Sequence, residues 1–168
     1  MTDEDDERRP GGAVHITLEG YRRLAAELER LTKVDRPKVV QEVSDAAAQG
    51  DRSENAEYIY GKKKLREIDK RLQFLQRRLD KVNVVDPRDH AGKAEVYFGA
   101  TVTVEDEDGK RATYTIVGED ELGSGGGRIS INSPMARALL RKKVDDVATV
   151  RRPAGEVDVT IITVKYGA

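Results

Sequence analysis

Apolar positions along the chain follow two periods, and the change between them divides the sequence. Tyr21, Leu24, Leu28 and Leu31 recur at 3-4-3 spacing, the seam of a coiled coil. Thr17 stands just before them as an N-cap candidate. The seam slips after Leu31, because Asp35 and Lys38 fall where apolar residues are due, and Pro37 follows Arg36 at the same place. Proline removes a helical hydrogen bond and restrains the residue before it. A kink or short break is therefore expected near Arg36, with helix resuming through Val39, Val40, Val43, Ala46 and Ala47.

A second helix has the cleaner pattern. Leu65, Ile68, Leu72, Leu75, Leu79 and Val82 alternate three and four apart, and Tyr58 extends the register backwards. A helix from about Asn55 to Val82 would be roughly 40 Å long at ~1.5 Å per residue. The connection around Gln49, Gly50 and Asp51 is short, and short connections between long helices make antiparallel hairpins. Gly50 suits the end of the first helix, where left-handed backbone is needed. The pattern thus predicts a hairpin over residues 14–86, with its tip near residues 50–55.

Beyond Asp86-Pro87 the period falls to two. Residues 100–104 and 112–117 alternate as strands around the turn residues Asp106 to Gly109. A glycine-rich loop at 123–127 precedes a short strand at 129–131. Ser133-Pro134 reads as N-cap and first residue of a helix through Arg141. Strands are expected at 147–150 and 157–164. The prediction is an α+β chain: residues 1–13 an acidic disordered arm, 14–86 the coiled-coil hairpin, 87–96 a linker and 97–168 a compact domain.

Composition narrows the chemistry. The 168 residues contain no cysteine, which excludes disulfides and thiolate metal sites, and the two histidines, His15 and His90, make zinc a poor expectation. No apolar run approaches the ~18 residues of a membrane span, so no membrane partner is expected and a soluble, cytoplasmic protein is the default. Charged residues are 36% of the chain and aromatics 5%, a balance that favours long solvated helices. The net charge of -1 hides a segregation. Nine basic residues face three acidic ones between Lys62 and Lys81, whereas five acidic face one basic between Glu42 and Glu57.

The tip carries the most specific motif. Gly50-Asp-Arg-Ser-Glu-Asn-Ala-Glu-Tyr58 resembles the GDxxENAEY signature of the Gre transcript-cleavage factors. Residues 60–69, 131–140 and 153–156 resemble further signatures of that family, so the likeness spans roughly residues 14–166. Arg52-Ser53, the basic second helix and the 133–140 stretch lean toward its GreB branch. The resemblance implies a coiled coil followed by an FKBP-like α+β domain. It also implies a bacterial RNA polymerase partner, the coiled coil entering the secondary channel and the second domain gripping its rim. Asp51 and Glu54 match the family's catalytic acids. They would hold Mg²⁺ jointly with the polymerase so that it hydrolyses its own backtracked RNA, which makes the protein a donor of ligands and not itself an enzyme. The donor chemistry is consistent, since Mg²⁺ prefers carboxylates and water.

Each reading has a plainer counterpart. Asp51-x-x-Glu54 ahead of a helix is also a capping-box pattern. The basic face of the second helix is ordinarily a solvated flank. With the resemblance, Lys62, Lys63, Lys64, Arg66 and Arg71 become candidates for phosphates of the nascent RNA 3′ end. Gly50, Ser53, Asn55 and Tyr58 are expected to shape the tip, Tyr58 as seam packing. The DEDDE arm is taken as a solubilising tail, and residues 105–109 as a hairpin turn in preference to a calcium loop. Alternatives to cleavage are a Gre-fold inhibitor of the same polymerase channel and a coiled-coil scaffold or holdase without chemistry. A hairpin that buries its own seam is expected to be a monomer.

Overall fold

The computed structural model describes residues 14–50, 55–124 and 126–167. Strand β1 (Val14–Thr17) leads into α1 (Leu18–Arg30), a π-helical turn (Leu31–Asp35) and α2 (Arg36–Ala47). Helix α3 (Ala56–Lys81) and β2 (Val82–Val85) follow, then a 3₁₀ turn (Pro87–His90). Strands β3 (Ala100–Asp106) and β4 (Arg111–Val117), a 3₁₀ turn (Glu119–Ser124), β5 (Arg128–Ser130), α4 (Pro134–Leu139), β6 (Val147–Arg152) and β7 (Gly155–Tyr166) complete the chain. Two compact units result, one being Arg22–Lys81 and the other the segments on either side of it.

The unit Arg22–Lys81 is the helical hairpin of the α+β prediction. The slip in the seam is absorbed by the π turn, in which the Arg36 N–H donates to the Leu31 carbonyl. Pro37 then sits in the first turn of α2, where a missing N–H costs little. The expected break at Arg36 is thus a wider turn just before it, and Arg36 itself is helical. Val39, Ala46, Ile68 and Leu75 are buried along the seam, with Leu65, Leu72 and Leu79 half-buried. Gly61 lets the helices approach closely, since a Cβ there would lie 2.7 Å from Val43 Cγ2. The Arg71 guanidinium donates twice to the Glu27 carboxylate, at 2.8 and 2.9 Å, and Arg36 Nε donates to Asp69 at 2.8 Å.

In the other unit a five-stranded sheet runs in the order β5-β4-β3-β7-β6, antiparallel except for β4 and β5. Alternation in β3 buries Ala100, Val102 and Val104, while Thr101 and Thr103 pair outward with Thr115 and Thr113 at 2.9 Å. The β3–β4 turn is the hairpin turn expected, with Asp106 Oδ1 accepting from the Asp108 and Lys110 N–H groups at 2.9 Å. Ser133 caps α4 by accepting from the Ala136 N–H. That helix ends at Leu139, short of the predicted Arg141: Leu140 leaves the helical region with a ψ of 133°, and Arg141 follows with a φ of 69°. The second helix also ends one residue early. Val82 pairs with Val14 in a parallel two-stranded ladder, extended structure that suits the β-branched residues of both segments.

Among the described residues of this unit Glu121 is the buried carboxylate, 2% exposed. It accepts hydrogen bonds from the Thr17 N–H at 3.1 Å, the Thr17 hydroxyl and the Gly118 N–H at 2.8 Å. Thr17 is the N-cap of α1 as predicted, its hydroxyl oxygen accepting from the Gly20 N–H at 3.1 Å.

Candidate functional site

The site predicted from sequence is the loop between α2 and α3. Asp51, Ser53 and Glu54 lie outside the described residues, so the geometry begins at their flanks. On one side, α2 ends with Ala48 as C-cap, and Gly50 has a φ of 136° with open space where a Cβ would stand. A side chain would be strained by that backbone, which accounts for glycine.

On the other side stands Asn55. Its Oδ1 accepts from the Tyr58 N–H at 3.1 Å, so Asn55 is the N-cap of α3. Its Nδ2 donates to the Ala46 carbonyl at 2.6 Å, tying the end of α2 to the start of α3. The N-cap position of α3 is thus taken by Asn55, four residues after Asp51 in the sequence. Asn55 carries both the N-cap signal and the cross-helix bond. The second of these had no signature in the sequence.

Tyr58 is half-buried, in keeping with its seam register. Beyond it the helix turns outward a different set. Ile59 and Tyr60 are exposed, at 53% and 67%, and Lys62, Lys63, Lys64 and Arg66 are exposed after them. None of these four cations forms an ion pair with a described residue. Arg71 differs. Its guanidinium is held by Glu27 and lies 5.2 Å from the Phe74 ring centre, and the same hydrogen bond holds the Glu27 carboxyl below its ordinary pKa. The five cations grouped by sequence therefore separate into four that project freely and one engaged within the hairpin. Sequence reasoning had singled out Tyr58 among the tyrosines near the tip, and the exposed one is Tyr60.

Among the described residues no group of three or more His, Asp or Glu side chains is placed to hold a metal ion, and no helix is long and apolar enough to cross a membrane.

Comparison with known proteins bears on the whole chain. Residues 14–84 match the family profile "Transcription elongation factor, N-terminal", and residues 91–166 match "Transcription elongation factor, GreA/GreB, C-term". A protein of Pseudomonas aeruginosa named "Transcription elongation factor GreB" is 56% identical over 158 residues, covering 94% of each chain. The chain belongs to the GreA/GreB family of transcription elongation factors. Two further relatives with the GreB name agree. That of Yersinia pestis is 51% identical over 152 residues, covering 90% of this chain and 88% of its own. That of Xanthomonas axonopodis pv. citri is 50% identical over 154 residues, covering 91% of each. A solved structure, that of the GreA factor homolog 1 (Gfh1) of Thermus thermophilus, is 25% identical, covers 90% of this chain and 98% of its own, and has a TM-score of 0.41. Resemblance to the GreB branch, read from Arg52-Ser53 and the basic helix, is matched by the names of these relatives.

Proposed function

We propose that this Gre-family chain binds bacterial RNA polymerase through its secondary channel and stimulates cleavage of backtracked nascent RNA. What carries the reading is a hairpin whose connecting loop holds the signature acids, in a chain 56% identical to a protein named GreB.

In this reading Asp51 and Glu54 are the acids delivered to the polymerase. Their carboxylate oxygens fit Mg²⁺, a hard cation that takes carboxylates and water. The metal supplies, when bound, an activated water and charge neutralisation at the scissile phosphate. Two carboxylates from one short loop are a partial ligand set, so the ion is held jointly with the polymerase. The chain's own tasks are to present the two acids, orient a water by hydrogen bonding and leave the reacting phosphate to the enzyme. Gly50 and Asn55 support that presentation by ending one helix and starting the next. The protein acts as a monomer in the cytoplasm, where its polymerase works, and is not an enzyme alone.

Lys62, Lys63, Lys64 and Arg66 contact phosphates of the extruded RNA. Arg71 joins them only by giving up its pairing with Glu27. Their contribution is electrostatic and weakens with salt.

The test uses elongation complexes halted in a backtracked register, incubated with Mg²⁺ and this protein. Rapid release of short 3′ RNA fragments is expected. Slowed intrinsic cleavage, the behaviour of an inhibitor, or no change, that of a scaffold, contradicts the proposal.

A further inference from the structure

We infer that Tyr60 is a stacking platform for a base of the RNA 3′ segment extruded beside the hairpin. The inference rests on the cleavage-factor reading and names a contact that it does not require. Tyr60 is 67% exposed although a tyrosine ring has much apolar area to bury. Its neighbour Tyr58 is half-buried on the seam, so the two rings leave the helix in different directions. Residues three and four apart share a helix face, which puts Lys63 and Lys64 beside Tyr60, and Lys62 and Lys63 beside the exposed Ile59.

The occupant follows from charge. Between Tyr60 and Ile68 the helix presents Lys62, Lys63, Lys64 and Arg66 against the single carboxylate Glu67. An aromatic face interleaved with cations on one exposed strip is the arrangement that holds single-stranded nucleic acid. The ring takes a base irrespective of its identity, and the cations take the phosphates on either side. A purely apolar protein partner would use Ile59 and Tyr60 but gain nothing from four cations, and an acidic one would gain nothing from the ring. RNA uses both. About 4.5–6 Å of helix separate Tyr60 from Lys63 and Lys64, so one nucleotide can engage ring and ammonium together. Only RNA extruded far enough to reach the second turn of α3 meets this strip. Tyr60 therefore matters for deeply backtracked complexes and not for those displaced by one or two nucleotides.

The experiment compares Tyr60→Ala, Tyr60→Leu and Tyr60→Phe with the unaltered protein on shallow and deep backtracked complexes. Exposure of the ring leaves folding intact, which the helical circular dichroism signal checks. Cleavage of deep complexes is expected to slow about tenfold with alanine and with leucine and to persist with phenylalanine, a stacking contribution of ordinary size. Shallow complexes are cleaved at unchanged rates. A 2-aminopurine placed in the extruded segment should lose emission with the unaltered protein and Tyr60→Phe, and regain it with Tyr60→Ala. Equal losses at both depths would show a polymerase contact and overturn the inference. Leucine serving as well as phenylalanine, or alanine without effect, overturns it too. Absence of any stimulation by the unaltered protein sinks the cleavage reading itself, a distinguishable result.

Discussion

Asn55 reaches back across the hairpin to the Ala46 carbonyl at 2.6 Å while capping its own helix, so one side chain fixes both ends of the loop that carries the acids. Asn55→Ala removes the cap and the bridge together. Loss of about 1–2 kcal/mol of stability is expected from the cap, measured by urea unfolding. Asn55→Asp keeps the acceptor for the Tyr58 N–H but has no amide to donate to Ala46. Its stability should fall between those of alanine and asparagine, and stimulation of cleavage should fall with both variants.

Glu121 anchors the start of α1 through Thr17, and Gly20 makes room for it. A Cβ at Gly20 would lie 2.2 Å from Glu121 Oε1. Glycine to alanine inside a helix ordinarily gains about 1 kcal/mol. Here the clash with a buried, three-times hydrogen-bonded carboxylate wins, and Gly20→Ala should lower the melting temperature. Glu121→Ala leaves the Thr17 and Gly118 N–H groups unpaired, and each such group costs about 1–3 kcal/mol. Thermal unfolding of both variants checks the order, with Glu121→Ala the less stable.

At Gly61 the same contest arises inside the hairpin. The stiff, β-branched Val43 has its Cγ2 2.7 Å from where an alanine Cβ would sit. Gly61→Ala should therefore destabilise the hairpin despite its better helix propensity. Shortening the partner with Val43→Ala should recover part of the loss, a coupling that a double-mutant cycle measures directly.

His90 gives the fold a pH dependence. Its Nδ1 is buried without a hydrogen-bond partner, and its ring stacks 5.3 Å from Tyr97 and lies 5.6 Å from Tyr166. Burial, aided by the charge of Lys93, lowers its pKa from the ordinary value of 6.5, against a smaller opposing pull from Asp89. The unfolded chain then binds a proton more readily than the folded one. Stability should rise with pH through the window from the lowered value up to 6.5, and level above it. His90→Gln should flatten that part of the profile in urea unfolding measured from pH 5 to 8.

The hairpin was legible because leucines at 3-4 spacing report one helical face, and the strands because threonine and valine alternate at 100–104. The GDxxENAEY signature, whose helix-side part frames Asn55, was legible as a string of residue types. What pattern could not supply was partnership between distant residues. Nothing local distinguishes Glu121 from Glu119 and Asp120 beside it, which are less buried, since its burial comes from Thr17 and Gly118. The π turn showed only as a slip in register. Whether valines at 14 and 82 continue a helix or pair as strands depends on their meeting one another. Tyr58 was legible as seam packing from its register, whereas no pattern in the sequence marked Tyr60, two residues on, as an exposed ring.

Asp51 and Glu54 are the heart of the account, and the rate of RNA 3′ cleavage in backtracked complexes tests them most directly. Asp51→Asn and Glu54→Gln should each slow factor-stimulated cleavage by at least about tenfold to a hundredfold, the loss that follows when even a hydrogen-bonding partner of a metal ligand is removed. Polymerase affinity, measured by competition with the unaltered protein, should stay within about twofold, because every other contact is kept. Full stimulation by both variants at unchanged affinity would contradict the assignment of the two carboxylates as the groups this protein brings to the reaction.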